Sequence, residues 1–352
     1  LVQAGLLVSA FQVAGAWLGL FGGLRRDPFG ARRLMATGLL VLAGAGVAGA
    51  SADSATALLT WRVVESAGFV LCVLPGPVLM RRVADPRRIS VALGIWGAYM
   101  PSGMVLALLV APWVLLAAGW HALWWGAASL ALVLTVVLWR VVPPDPARGA
   151  VPTAMRALAG ATLRAPGAWA LAACFGLYAG QWMVVFSFLP TIYQQASLPP
   201  ATAAGLTALG VLVNLGGNVA AGLLLQRGVR RAVLVAAASV VMGVGAWVAF
   251  GSTAGFAVRY AALLALSLVG GLIPGTLFAT APRFAPHAGA VSTTTGLMQQ
   301  GSSIGQVVAP PLVAAAAALP GAWQNLWWVT CGFALLNVGV AVLIDRIDRR
   351  RS

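Results

Sequence analysis

Long apolar runs, separated by short polar connections, dominate the chain. A helix needs about 20 apolar residues to cross roughly 30 Å of hydrocarbon, and runs of that kind recur throughout the sequence. The pattern predicts eleven spans, near residues 2–24, 34–50, 55–80, 90–115, 122–141, 168–190, 201–226, 232–250, 256–281, 290–318 and 325–344. We therefore expect an all-α protein that crosses a membrane many times.

The longest polar connection, residues 140–167, contains several prolines and four arginines and separates five predicted spans from six. We place the boundary between two halves there. The predicted organisation is an N-terminal half over residues 1–141, a cytoplasmic linker over 142–167, a C-terminal half over 168–345 and a basic tail over 346–352.

Composition supports the membrane assignment. The chain is 61% hydrophobic and 8% charged, too little polar surface to cover a water-soluble globule of this size. Its net charge of +15 comes entirely from arginine, in short clusters between apolar runs, and this distribution argues against a nucleic-acid surface. The three cysteines show neither disulfide nor zinc spacing, so no metal or cofactor is predicted.

Arginine placement predicts orientation, because arginines in short loops are retained in the cytoplasm. Almost all the clusters fall on alternate loops, hence on one face. This predicts a multi-pass protein of a bacterial inner membrane with its C-terminus in the cytoplasm.

An internal repeat accounts for the odd number of spans. The pair Arg32 and Arg33 recurs 198 positions later as Arg230 and Arg231, and several other matches share nearly the same offset. The span near 168–190 then has no counterpart, so we expect twelve spans in the complete protein and a first helix absent from this chain. We also expect this chain alone to transport poorly.

The repeated loop, "GLRRDPFGARR" from Gly23, resembles the loop signature G-x-L-x-D-R-x-G-R-R of the major facilitator superfamily. Four positions match, while Arg25 and Pro28 depart from the usual residues; the matching residues are Gly23, Asp27, Gly30 and Arg32. The resemblance implies a two-half helical bundle. The stretch "GLMQQGSSIGQ", from Gly296, is also similar to the cyanate/nitroimidazole-permease-like group of that superfamily.

The resemblance also implies that this loop controls conformational change, latching the halves together on the cytoplasmic side. The residues given this gating role are Gly23, Asp27, Gly30, Arg32 and Arg33. The alternative is that the arginines only retain the loop in the cytoplasm.

The sharpest polar feature within a span is Arg62 and Glu65, which are three apart and so share one helix face. Glu65 is the only acid in the interior of a predicted span, near the membrane midplane. We predict that Arg62 binds substrate and that Glu65 couples transport to protons. An internal salt bridge that only locks the helix is the alternative.

Further substrate-binding candidates come from two other helices. Tyr178, Gln181 and Trp182 lie in the seventh helix of the superfamily pattern, which the resemblance places at the cavity. Thr295, Gln299, Ser302 and Gln306 form one polar stripe, which can line a cavity or hydrogen-bond neighbouring helices.

We predict a secondary active transporter, not an enzyme, that moves a small polar or anionic solute by alternating access and is coupled to protons. It is expected to act as a monomer in membrane lipid, without cofactor, metal or nucleic acid. A multidrug efflux antiporter of the same fold and a non-transporting membrane sensor or scaffold remain as alternatives.

Overall fold

The computed structural model describes residues 30–145, 155–195, 197–317 and 322–350, together with Phe11, Gln12, Gly15 and Trp17. The described residues contain no strand. Their α-helices are Ala31–Ala50 (α1), Ala55–Val73 (α2), Gly76–Val83 (α3), Ile89–Gly97 (α4), Tyr99–Val141 (α5), Met155–Arg164 (α6), Pro166–Gln195 (α7), Pro200–Gln226 (α8), Arg231–Ala246 (α9), Phe256–Gly270 (α10), Leu272–Phe284 (α11), Val291–Ala317 (α12) and Leu326–Arg349 (α13).

Eight stretches of helix in the described part of the chain are long and apolar enough to cross a membrane. They are Ala31–Ala50, Ala55–Val83, Tyr99–Val141, Pro166–Phe186, Thr202–Gln226, Arg231–Gly251, Phe256–Phe284 and Leu326–Arg349. The predicted spans near 90–115 and 122–141 fall largely within one of these stretches. The predicted span near 290–318 is helical as α12 but is outside this apolar set, and most of the span near 2–24 lies outside the described residues.

The 43-residue helix α5 is broken at Gly119, where φ is 76° and ψ is 177°. A straight helix of that length would extend about 65 Å, twice the thickness of the hydrocarbon. Glycine is suited to this position because a side chain disfavours positive φ. The break therefore divides α5 into two segments, each long enough for one crossing, close to where the apolar pattern separates two predicted spans.

A second break separates α2 from α3 at Leu74 and Pro75. Proline lacks the N–H that would continue the helical hydrogen bonds, and its ring crowds the preceding turn. Ser54 defines the other end of α2, where its hydroxyl accepts a hydrogen bond of 3.2 Å from the Ala57 N–H. These boundaries give the stretch that carries Arg62 and Glu65.

The chain forms two compact units. Unit one comprises Leu1–Pro86, Ala111–Trp169 and Ala281–Ser303, and within it α1 packs along α2. Unit two comprises Arg87–Val110, Ala170–Thr280 and Ile304–Ser352. Within it α9 packs against α13 and α10, and α8 packs against α4 and α10. The sequence-based halves remain a prediction.

Candidate functional site

Arg62 and Glu65 form an ion pair on α2 in unit one. Nη1 of Arg62 lies 2.7 Å from Oε2 of Glu65 and donates a hydrogen bond to it. The side chain of Glu65 is 13% exposed and that of Arg62 is 36% exposed. The shared helix face is thus confirmed, and the carboxylate is the more enclosed partner.

Trp124 on α5 completes this arrangement. The Arg62 guanidinium carbon lies over the Trp124 ring, 4.6 Å from its centroid. An aromatic face attracts a cation and most strongly where water is excluded. Ser66, the neighbour of Glu65, is fully buried and its hydroxyl has no hydrogen-bond partner among the described residues. The ion pair is therefore covered on one side by an aromatic ring, and the next residue of the helix carries a buried hydroxyl without a partner among the described residues.

Such a pair can change state in two ways. An anionic solute can compete with Glu65 for the guanidinium, because arginine binds carboxylate and phosphate groups readily. A proton can instead neutralise Glu65 and leave Arg62 without its counter-ion. Either event leaves one charge without its partner, which is costly unless a new partner replaces the lost one. An anion binding to Arg62 and a proton binding to Glu65 would compensate each other, so this pair can take up both.

A separate polar cluster lies in unit two, around Tyr178. The amide nitrogen of Asn214 donates to the Tyr178 hydroxyl at 3.2 Å and to the Ser267 carbonyl at 2.8 Å. The amide nitrogen of Asn218 donates to the Asn214 carbonyl at 3.1 Å and to its side-chain oxygen at 3.0 Å. Tyr178 is thereby connected to α8 and α10, so its hydroxyl is fixed within this unit.

Gln181 and Trp182 lie on the same helix as Tyr178 and keep unused donors. Gln181 is 1% exposed, yet its amide nitrogen has no hydrogen-bond partner among the described residues. The Trp182 indole nitrogen is also without one, and its ring stacks on Phe186 at 4.8 Å. Buried donors without acceptors are uncommon and carry a desolvation penalty. A solute with acceptor oxygens would remove that penalty, so cavity lining stays the prediction for both.

The predicted polar stripe on α12 is buried along its length. Thr295, Gln299, Ser302 and Gln306 are all less than a tenth exposed. The Thr295 hydroxyl donates to the Val291 carbonyl at 2.9 Å, one turn earlier on its own helix. The stripe faces the protein interior, and both the cavity and the interhelical interpretations remain predictions.

The gating loop is described only from Gly30 onward, so Gly23 and Asp27 lie outside the described residues. Gly30 has φ of 79° and precedes α1. The N–H groups of Arg32 and Arg33, in the first turn of α1, donate to the two carboxylate oxygens of Asp145 at 3.1 and 3.2 Å. A carboxylate is favoured at a helix N-terminus, where backbone N–H groups lack partners.

Two arginine side chains contribute to the same cluster. Arg82 donates to Asp145 at 2.7 Å. Arg32 donates to the Trp139 carbonyl at 2.5 Å and its guanidinium lies over the Trp139 ring at 4.2 Å. Partial burial raises the pKa of Asp145, but the hydrogen bonds from Arg82 and from the two backbone N–H groups outweigh it, so the pKa is lowered below its ordinary value. Asp145 is an anion that joins α1, α3 and the end of α5.

We expect Asp145→Ala to lower the free energy of unfolding by about 1 to 2 kcal/mol at neutral pH, through loss of a helix cap and an ion pair. Because the pKa of Asp145 is lower in the folded protein, its ionised form stabilises the fold at any pH above the ordinary pKa of about 3.9. That contribution is lost as the pH falls through the lowered pKa of the folded state. The thermal midpoints of wild type and variant should therefore converge below about pH 4. Asp53→Ala, at an exposed acid, is the control; equal midpoints at neutral pH for Asp145→Ala and wild type would contradict the prediction.

The second copy of the loop has its own acidic partners in unit two. Arg230 pairs with Asp345, and Arg231 pairs with Asp348 at 3.0 Å. Asp145 and Asp345 are 200 positions apart, close to the repeat offset. This spacing was the available signal for Asp145, which the sequence analysis missed.

Comparison with known proteins agrees with this architecture. The family model described as Major Facilitator Superfamily matches residues 1–300. No curated protein matches the chain by sequence.

Three solved structures illustrate the likeness in fold. The E. coli fucose:proton symporter FucP has a TM-score of 0.75 and 15% identity, over 100% of this chain and 91% of that one. The proton:xylose symporter XylE has a TM-score of 0.77 and 14% identity, over 98% and 86%. The human organic anion transporter MFSD10 has a TM-score of 0.75 and 17% identity, over 96% and 83%. The chain is a multi-pass membrane protein and belongs to the Major Facilitator Superfamily.

Proposed function

We propose that this chain is a secondary active transporter that moves a small polar or anionic solute by alternating access, coupled to protons. The observation that carries the proposal is the ion pair between Arg62 and Glu65, 2.7 Å apart and the only charged residues of the helix Ala55–Val73. Ionisable groups in that setting are costly and are typically kept for transport or proton relay. A salt bridge that only stabilises the helix would not explain why a costly acid is placed within a membrane-spanning stretch at all.

The roles divide among the predicted residues. Arg62 attracts the solute, and Glu65 takes up a proton when the solute displaces it from Arg62. The other proposed solute contacts are Tyr178, Gln181, Trp182, Gln299, Ser302 and Gln306. The proposed gate consists of Gly23, Asp27, Gly30, Arg32 and Arg33, with Asp145 added as the partner of the last two.

Solved structures of similar fold support the class of function. FucP and XylE are proton symporters for fucose and xylose, and MFSD10 is an organic anion transporter. At this level of identity they define only a fold, so the solute is argued from Arg62. A positive group that a solute reaches favours anionic or strongly polar molecules over neutral apolar ones.

Proteoliposomes containing the purified full-length protein, with any segment that its gene encodes before Leu1, test the proposal. Small anions, sugars and cationic drugs are supplied outside, with and without an imposed pH gradient, while a pH-sensitive dye inside reports proton movement. Accumulation of an anionic or polar solute together with a proton flux is the expected result. Movement of cationic drugs in the direction opposite to the proton flux would favour the efflux antiporter, and saturable binding without flux would favour the sensor.

The proposed orientation is tested by topology. A reporter fused after Ser352 and one inserted near Gly160 should both report cytoplasm, because arginine-rich loops remain inside. A tag near Pro199 should be labelled from outside in intact cells. Labelling at Gly160 with protection at Pro199 would reverse the orientation.

A further inference from the structure

A groove runs between α9 and α13 in unit two. None of the residues predicted to bind solute, couple protons or form the gate lies on these two helices. Its deeper part is a cavity of about 300 Å³ whose surface is entirely apolar. Small residues line its floor and larger apolar side chains form its sides; the lining includes Ser239, Gly243, Ala334, Val244, Trp247 and Leu335. The Ser239 hydroxyl donates to the Val235 carbonyl at 2.8 Å, so it presents no unsatisfied group to the groove.

A second cavity, of about 210 Å³, lies between the same two helices, on their next turns. The two cavities are adjacent on both helices. On α9 the second cavity ends at Ala236 and the first begins at Ser239, three residues later. On α13 the first ends at Val338 and the second begins at Ala341, again three residues later. The two cavities together define the α9–α13 groove. It is apolar at one end and carries Arg230 and Asp345 at the other.

The charged end carries a net positive charge. Asp345 pairs with both Arg230 and Arg349, so two guanidinium groups share one carboxylate. The Arg230 side chain is 54% exposed, and Arg346 and Arg350 are exposed nearby on the same end of α13. An anionic group at this end would complement the excess of arginine.

The stretch of the groove from Arg230 to Gly243 matches one leaflet of a bilayer in length. Thirteen residues separate Arg230 from Gly243 on the sequence of α9 and its cap, which corresponds to about 20 Å of helix. One leaflet with its headgroup region is about 20 to 22 Å thick, half of the roughly 40 to 45 Å of a whole bilayer. An acyl chain whose headgroup lies at Arg230 would therefore end beside Ser239 and Gly243.

We propose that the α9–α13 groove binds one anionic phospholipid, with its acyl chain along the apolar part and its phosphate at Arg230. The lipid belongs to the leaflet on the Arg230 side, which the proposed orientation makes the cytoplasmic one. The inference depends on the protein's membrane location and not on transport, so it can fail while the proposed function stands.

Native mass spectrometry of the purified protein tests this assignment, with phosphatidylglycerol and phosphatidylcholine of identical acyl chains. Wild type should retain one phosphatidylglycerol more strongly than phosphatidylcholine. Arg230→Gln should reduce that preference about fivefold, the effect of one arginine near an anionic headgroup, while Arg230→Lys should keep it. Arg81→Gln, at an exposed arginine outside the groove, is the charge control and should behave as wild type.

The apolar part is tested by Val244→Trp, which fills the groove from its side and should remove the retained lipid whatever its headgroup. Val136→Trp is the matched control, because Val136 and Val244 are both 56% exposed and Val136 lies on α5. Equal lipid loss in both tryptophan variants would show only general surface lipid and overturn the proposal, as would a dimer that excludes lipid from this face.

A measurement on wild type removes any dependence on the folding of variants. Phosphatidylglycerol with a photoactivatable group in its acyl chain should crosslink to peptides covering residues 239–247 and 331–338. Crosslinks spread evenly over all apolar helices would contradict a defined site.

Discussion

Glu65→Gln is expected to abolish the accumulation of solute driven by a pH gradient while counterflow exchange of solute continues. Glutamine keeps the size and the acceptor oxygen of the side chain but cannot exchange a proton. Arg62, 2.7 Å from the carboxylate in the native protein, would remain able to attract solute. Arg62→Ala should impair both accumulation and counterflow, because it removes the group proposed to bind solute.

Liposome flux under an imposed pH gradient is the measurement. Asp53→Asn makes the same chemical change at an exposed acid just before α2, and it should leave both activities unchanged. Unchanged pH dependence in Glu65→Gln would rule out proton coupling through this residue and make the pair structural.

A charge exchange separates the two interpretations further. The double variant Arg62→Glu with Glu65→Arg retains opposite charges three residues apart on the same helix face. A purely structural pair should tolerate it in both stability and transport. If the pair functions as proposed, the thermal midpoint should recover relative to Arg62→Ala while accumulation stays lost, because the arginine no longer lies over Trp124.

Gly217→Ala should be among the most destabilising single changes in the described part of the chain. A Cβ atom at Gly217 would lie 1.9 Å from the Leu268 carbonyl oxygen and 2.9 Å from the Gly271 Cα. Both neighbours are backbone atoms, so the helices α8 and α10 would have to separate. We expect a loss of about 3 kcal/mol or more, at the upper end of overpacking effects.

Gly205→Ala is the matched control on the same helix. A Cβ atom there meets nothing within 4 Å, and alanine is favoured over glycine in a helix by about 0.5 to 1 kcal/mol. Thermal unfolding in detergent should therefore show a lower midpoint for Gly217→Ala and an equal or higher one for Gly205→Ala. Similar midpoints for the two variants would contradict the close approach of α8 to α10.

The sequence was sufficient for the helical class, the family and most of the predicted spans. Apolar length sets where a chain can cross a bilayer, since every backbone polar group there must be satisfied within the helix. Gly119 and Pro75 interrupt helices for local backbone reasons, so those breaks were also foreseeable. The pairing of Arg62 with Glu65 follows from a spacing of three on one helix.

Contacts between distant parts of the chain needed the tertiary structure. Asp145 binds backbone groups 112 and 113 residues away, and nothing local to its proline-rich segment indicates that partner. Trp124 lies over Arg62 because side chains from two different helices of one unit meet, and Asn214 reaches Tyr178 only where two helices meet. Periodicity records which way a side chain points along its own helix, but which neighbour it meets depends on how the helices pack.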